Sequence, residues 1–184
     1  MTRRKLGSGV VLVTVFALGL WSGIGSAGWL GSEAQPIALK SALGTAKEVP
    51  KPTGVGAGAG GTFAGGLTRA GAAGTLAWRL TFRGLTGSAT AAHVHLGKPG
   101  KAGPVAVALC GPCRSGAKGS VRVNARTVNA LLRGGAYVNV HTAKNPAGEI
   151  RGQIAKGGKA PVVTGTTTTT TSDTTTTTSP PLYP

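Results

Sequence analysis

Short runs in which apolar and polar side chains alternate constrain the fold of this chain more than any other feature. The clearest run spans residues 76–83, where Leu76, Trp78, Leu80 and Phe82 alternate with Ala77, Arg79, Thr81 and Arg83. Runs of the same period follow at 92–96, 105–109, 121–124, 137–141 and 149–154. A period of two places apolar side chains on one face of a β-strand. The sequence therefore predicts several short strands.

One of these runs differs from the others in its neighbours. Val105, Val107 and Leu109 alternate with alanines instead of polar residues. Because alanine also fits a buried face, the pattern favours a strand that is covered on both sides.

Glycine and proline separate the runs. Typical turn segments lie at 97–100, 103–104 and 145–148. Glycine is abundant, with 32 residues, whereas only 4% of residues are aromatic. A chain with few large side chains and many turns favours short strands over long helices. We therefore predict an all-β fold, a small antiparallel sandwich or barrel.

One stretch has the period of a helix. Asn124 is a good N-cap residue, and Val128, Leu131 and Leu132 follow at helical spacing. The glycines at 134–135 are suited to end the helix. The sequence predicts one short helix across an end of the sandwich.

The last two strands can be paired by counting. If residues 143–147 form the loop, then His141 faces Glu149, Asn139 faces Arg151 and Tyr137 faces Gln153. All six side chains then lie on one polar face of the sheet. This polar face is a candidate binding surface.

Both ends of the chain have compositions that differ from the middle. Residues 1–27 combine a basic start, an apolar run from Val10 to Leu20 and small residues before position 28, which predicts an export signal. An uncleaved anchor is the alternative, and the membrane would then contact the chain only through this segment. A linker is predicted at 28–35 and the folded domain at 36–156. Export predicts a secreted or cell-surface location.

The C-terminal segment 157–184 is dominated by threonine from Thr164 onward and ends in a proline-rich stretch. It has no apolar period, so it cannot bury enough surface to offset the entropy of ordering. We predict a disordered tail. Its composition fits an O-glycosylated stalk as well as an unmodified linker.

Three segments resemble a known family. They are Ala-His-Val-His-Leu-Gly at 92–97, Gly-Ala-Tyr-Val-Asn-Val-His-Thr at 135–142, and Asn-Pro-Ala-Gly-Glu-Ile-Arg-Gly-Gln-Ile at 145–154. The chain resembles the CHRD domain family over about residues 36–156, and it looks like a secreted bacterial member. The resemblance implies an immunoglobulin-like β domain. In chordin, which gave the family its name, the setting is growth-factor binding; the cysteine-rich modules of chordin are missing here, so that role is not carried over.

The three histidines suggest a metal site. His93 and His95 are two residues apart on one strand, so both point to the same face. With His141 and Glu149 they would form a set of three nitrogens and one oxygen, which suits zinc or copper. The alternative is that these side chains bond across neighbouring strands and fix the register. The sequence favours this alternative, so no cofactor is expected. The competing interpretation is that the histidines bind copper or zinc.

Cys110-Gly111-Pro112-Cys113 has the sequence of a thioredoxin active site. A thioredoxin places this motif at the start of a helix in an α/β fold. In an exported all-β chain, the two cysteines are instead expected to form a small disulfide ring. A thiol–disulfide activity would require Cys110 to be exposed.

The net charge of +16 favours an anionic partner. The basic residues are scattered and lack interleaved aromatic residues, so nucleic acid is not expected as the partner.

No paired carboxylates and no nucleophile beside a base stand out, so we do not expect an enzyme. The sequence predicts an extracellular binding, adhesion or envelope structural module, whose ligand is an anionic cell-wall polymer or a protein. The rival is a copper- or zinc-binding protein.

Overall fold

The computed structural model describes residues 35–162. The predicted export signal, the linker before residue 35 and the threonine-rich run lie outside these residues. Within them the chain forms nine strands, one α-helix and one 3₁₀ turn. They are β1 (Ile37–Gly44), the 3₁₀ turn (Thr45–Lys47), β2 (Gly60–Ala70), β3 (Ala73–Arg83), β4 (Ala89–Leu96), β5 (Val105–Cys110), β6 (Lys118–Val123), α1 (Ala125–Leu132), β7 (Ala136–Thr142), β8 (Ile150–Gln153) and β9 (Ala155–Lys156).

The strands belong to one sheet with the order β5-β4-β7-β8-β1-β2-β3-β6, and β9 pairs with β1. Each of these pairs is antiparallel. The sheet curves into a nearly closed barrel, and β5 and β6 are the two strands at its ends. The predicted antiparallel β fold with one short helix is therefore confirmed.

The inner face of the sheet carries the core. In β3 the side chains of Leu76, Trp78 and Leu80 are buried, as their alternation predicts. They pack with side chains from the other strands, including Leu39, Phe63, Leu67, Val94, Val138, Val140 and Ile150. Full burial of one such side chain stabilises the fold by roughly 1.5–3 kcal/mol.

Helix α1 begins and ends where the sequence predicts. The Asn124 side chain accepts a hydrogen bond from the Thr127 N–H at 2.9 Å and so caps the first turn. Val128 and Leu131 are buried, and the helix contacts β3, β7 and β9. Gly134 follows the helix with φ of 70°, a conformation that suits glycine.

The prediction that both faces of β5 are covered is wrong. Val107 and Leu109 are buried, but Ala108, on the opposite face of the strand, is exposed. That face lies on the outside of the barrel, where Ala108 contacts solvent. Val105, at the start of β5, is also 53% exposed.

Candidate metal centre

The three histidines meet on one face of two neighbouring strands. Strand β4 pairs with β7, and its register places His93 opposite Asn139 and His95 opposite Tyr137. His141 lies two residues beyond Asn139 on the same face of β7. One ring nitrogen from each histidine lies within 4.8 Å of the others. The pairing of β4 with β7 thus brings together three side chains that can bind one metal ion.

Two of the histidines are oriented by backbone carbonyls. His95 Nδ1 lies 2.8 Å from the Gly103 carbonyl oxygen, and His141 Nδ1 lies 2.9 Å from the Pro146 carbonyl oxygen. A carbonyl oxygen only accepts hydrogen bonds, so each Nδ1 carries the proton and each Nε2 keeps its lone pair. Metal-binding histidines are commonly held in this way.

The remaining contacts of the cluster leave one nitrogen unsatisfied. His93 Nδ1 lies 3.0 Å from His141 Nε2, so His93 donates and His141 accepts. His95 Nε2 is buried and has no hydrogen-bond partner among residues 35–162. Leaving a buried acceptor unpaired costs roughly 1–3 kcal/mol. A bound ion would remove that cost.

Burial favours the neutral form of two of the rings. The pKa of His93 is lowered to about 4, mostly by burial and also by charge repulsion from the His141 and His95 rings. Burial also lowers the pKa of His141; the Pro146 carbonyl opposes this effect and His95 adds to it. Neutral imidazole is the form that binds metal ions. Both rings are therefore neutral at neutral pH. An ion that binds His141 Nε2 would replace the hydrogen bond from His93 Nδ1.

The structure does not place Glu149 with the histidines. Its carboxylate accepts hydrogen bonds from the Thr86 N–H at 2.6 Å, the Thr142 hydroxyl at 2.6 Å and the Asn145 amide at 3.0 Å. Burial raises the pKa of Glu149, but these hydrogen bonds outweigh burial and hold it below the usual value. The expected three-nitrogen, one-oxygen set is corrected to three nitrogens.

The backbone before β8 explains this correction. Gly148 has φ of 133° and Glu149 precedes the first residue of β8. The alternation that holds inside a strand does not extend through such a turn. Glu149 therefore turns toward Thr142, whose side chain lies on the opposite face of β7 from His141.

Two of the three pairs predicted for the polar face are present in the ladder between β7 and β8. Tyr137 is paired with Gln153 and Asn139 with Arg151. However, Tyr137, Asn139 and Arg151 are buried, at 3%, 2% and 1% exposed. They do not form the open binding surface that the sequence predicts.

The segment that covers the polar face comes from the β4–β5 loop. Arg151 Nη2 donates to the carbonyl oxygens of Lys98 and Lys101, and the Gln153 amide donates to Gly97. The guanidinium also lies over the Tyr137 ring, 3.4 Å from its centre. Arg151 and Gln153 thus hold the β4–β5 loop against the sheet.

The comparison with protein families decides where the chain belongs. A sequence model of the CHRD domain matches residues 39–154, which include most of β1, all of β2 to β8 and all three histidines. The chain belongs to the CHRD domain family. CHRD domains are typically extracellular, and the family suggests a binding module without catalysis. No curated protein and no solved structure matches the chain.

No helix within residues 35–162 of this CHRD-domain protein is long and apolar enough to span a membrane.

One buried acid of the CHRD domain has no signal in the sequence patterns. Glu48 follows the 3₁₀ turn and is 1% exposed. Burial raises its pKa to about 7, while the Val49 N–H and the positive charge of Arg151 oppose the rise. No period or spacing in the sequence places Glu48 near Arg151.

The predicted disulfide of the CHRD domain is present. Cys110 and Cys113 are bonded, with their Cα atoms 5.3 Å apart. The ring follows β5 in a loop, and Cys113 is buried. The helix that a thioredoxin-like site needs after this motif is not formed by the residues that follow it here.

Proposed function

We propose that this CHRD-domain protein is a secreted or cell-surface binding protein whose site holds a copper or zinc ion. His93, His95 and His141 are the proposed ligands. The observation that carries the proposal is the convergence of their ring nitrogens within 4.8 Å. The proposal includes no catalytic step.

The ligand chemistry narrows the choice of metal. Imidazole nitrogen suits copper and zinc, whereas calcium and magnesium prefer oxygen. No thiolate contributes, because both cysteines are in the disulfide. Three protein ligands leave at least one position on the ion for water or another ligand.

The competing role for the histidines is to fix strand register. It accounts for the bonds from His95 to Gly103 and from His141 to Pro146. It leaves His95 Nε2 buried without a hydrogen-bond partner among residues 35–162. A bound ion would satisfy His95 Nε2 and would replace the hydrogen bond between His93 Nδ1 and His141 Nε2. We prefer the metal role because it accounts for this buried nitrogen.

The test is a metal titration of the full chain, prepared without a histidine tag and stripped with a chelator. We expect one copper or zinc ion per chain, and each of His93→Ala, His95→Ala and His141→Ala should weaken binding by roughly tenfold or more. Thr90→Ala is the matched control, because Thr90 is exposed on the same strand. It should bind like the wild type.

Two outcomes would overturn the metal proposal. One is the absence of stoichiometric binding by the wild type. The other is equal affinity in the histidine variants and in Thr90→Ala. Either result would leave the histidines as residues that fix strand register.

A further inference from the structure

A cavity of about 260 Å³ lies between the segment after β1, the β4–β5 loop and strand β8. The lining residues that matter for binding are Lys47, Glu48, Lys51 and Arg151. The volume is slightly below the usual range for drug-sized ligands, so it suits a small polar group. None of the three histidines lines it.

Arg151 is the most unusual part of this cavity wall. Its side chain is 1% exposed, and its Nη2 donates to two backbone carbonyls. Its Nη1 is buried and has no hydrogen-bond partner among the described residues. A buried guanidinium with a free donor is costly unless an acceptor with negative charge is supplied.

The acid that lines the same cavity does not supply that acceptor. Glu48 lines the same cavity, and its Oε1 accepts from the Val49 N–H at 3.0 Å. Its Oε2 is buried and unpaired in the described part of the chain. Glu48 and Arg151 thus face one cavity, each with an unused polar atom.

The rim of the cavity adds positive charge. Lys47 and Lys51 line it and are exposed. The Lys47 ammonium donates to the Ala42 carbonyl at 3.2 Å, and the Lys51 ammonium donates to Ala46. Such exposed bonds are weak, so both lysines can turn toward an anion.

We propose that this cavity is a second binding site, which takes the oxyanion group of a phosphate or carboxylate ligand. One ligand oxygen accepts from Arg151 Nη1, and Lys47 and Lys51 neutralise the remaining charge. Glu48 in its protonated form donates its O–H to the same group. The site is independent of the metal site, so either stands if the other fails. It also gives the anionic partner expected from the charge a specific place to bind.

The test is a titration of the full chain at low salt with inorganic phosphate and, separately, with acetate. Chemical shifts in the NMR spectrum report binding. We expect Lys47→Ala/Lys51→Ala to weaken binding by about five- to tenfold. Lys156→Ala/Lys159→Ala is the matched control, because it removes the same charge from exposed positions outside the cavity. Its effect should stay below about twofold.

Glu48→Gln is a variant for which we expect the affinity for the anion to rise instead of fall. It removes the negative charge, keeps the shape and should tighten binding above pH 7. A loss of folding would not produce tighter binding. A stronger response to phosphate than to acetate would identify the phosphate group as the ligand, and the reverse would identify a carboxylate.

The proposal is overturned if neither anion binds. It is also overturned if both double-lysine variants weaken binding equally, since that result indicates attraction to the overall charge. Unchanged affinity in Glu48→Gln above pH 7 would equally contradict it.

Discussion

Burial shifts the proton affinities of two residues in opposite directions but toward the same neutral state. The pKa of His93 falls to about 4, and that of Glu48 rises to about 7. In each case the buried site disfavours the charged form. The unfolded chain does not share this preference, so folding stability depends on pH.

The two residues act in different pH windows. Below its ordinary pKa of 6.5, His93 takes up a proton more readily in the unfolded chain, so stability falls from about pH 6.5 toward 4. Above its ordinary pKa of 4.5, Glu48 loses its proton more readily in the unfolded chain. Its contribution therefore lowers stability from about pH 4.5 to 7, and the loss persists at higher pH.

Glu48→Gln should isolate the second effect. At pH 8 we expect the variant to be more stable than the wild type by up to about 3 kcal/mol. At about pH 3 the difference should nearly vanish, because Glu48 is then largely protonated in both the folded and the unfolded state. Denaturant unfolding at the two pH values measures this difference, and the histidine contribution cancels because both proteins contain it. An equal difference in stability at both pH values would contradict the raised pKa of Glu48.

At the scale of elements, the loops orient the histidines. The Gly103 and Pro146 carbonyls that hold His95 and His141 belong to the β4–β5 and β7–β8 loops. Glu149 binds Thr142 and Asn145 and so fixes the second loop. The sequence suggests Glu149 as a metal ligand. In the structure Glu149 instead stabilises the loop whose Pro146 carbonyl orients His141.

The N-cap of α1 gives a prediction at the same scale. Asn124→Ala removes the acceptor for the Thr127 N–H and should lower the free energy of unfolding by about 1 kcal/mol. Asn129→Ala is the control, since Asn129 is an exposed position inside the same helix and alanine has the higher helix propensity. Chemical denaturation of the two variants provides the comparison. An equal loss in both would show that the cap contributes nothing.

At the scale of the whole molecule, the barrel is open between β5 and β6. Among residues 35–162 each of these strands pairs on one side only, whereas β7 lies between β4 and β8. Amides on an unpaired strand edge are open to water unless something covers them.

Hydrogen exchange should therefore differ around the barrel. We expect the amides on the unpaired edges of β5 and β6 to exchange much faster than the amides of β7, because no neighbouring strand accepts their hydrogen bonds. Exchange followed by NMR on the full chain measures this residue by residue. Protection along the whole of β5 that matches β7 would instead show that another segment or a second molecule covers the edge.

The sequence by itself determined the elements whose signal is local. The alternation in β3 predicts its buried face, Asn124 predicts the start of α1, and the loop length predicts the pairing of Asn139 with Arg151. In contrast, no alternating run marks β2, which contains four glycines. One of them, Gly61, is so close to the Thr81 carbonyl that a Cβ would clash. That closeness depends on the neighbouring strand.

Only the tertiary structure decided which of the polar residues meet. The three histidines converge because β4 lies beside β7, and Arg151 is buried because the loop after β4 folds over it. Glu149 does not lie with the three histidines because the backbone turns at Gly148. The period and capping that a sequence shows depend on residues a few positions apart. Coverage and convergence depend on segments roughly 50 residues apart that meet only when the chain folds.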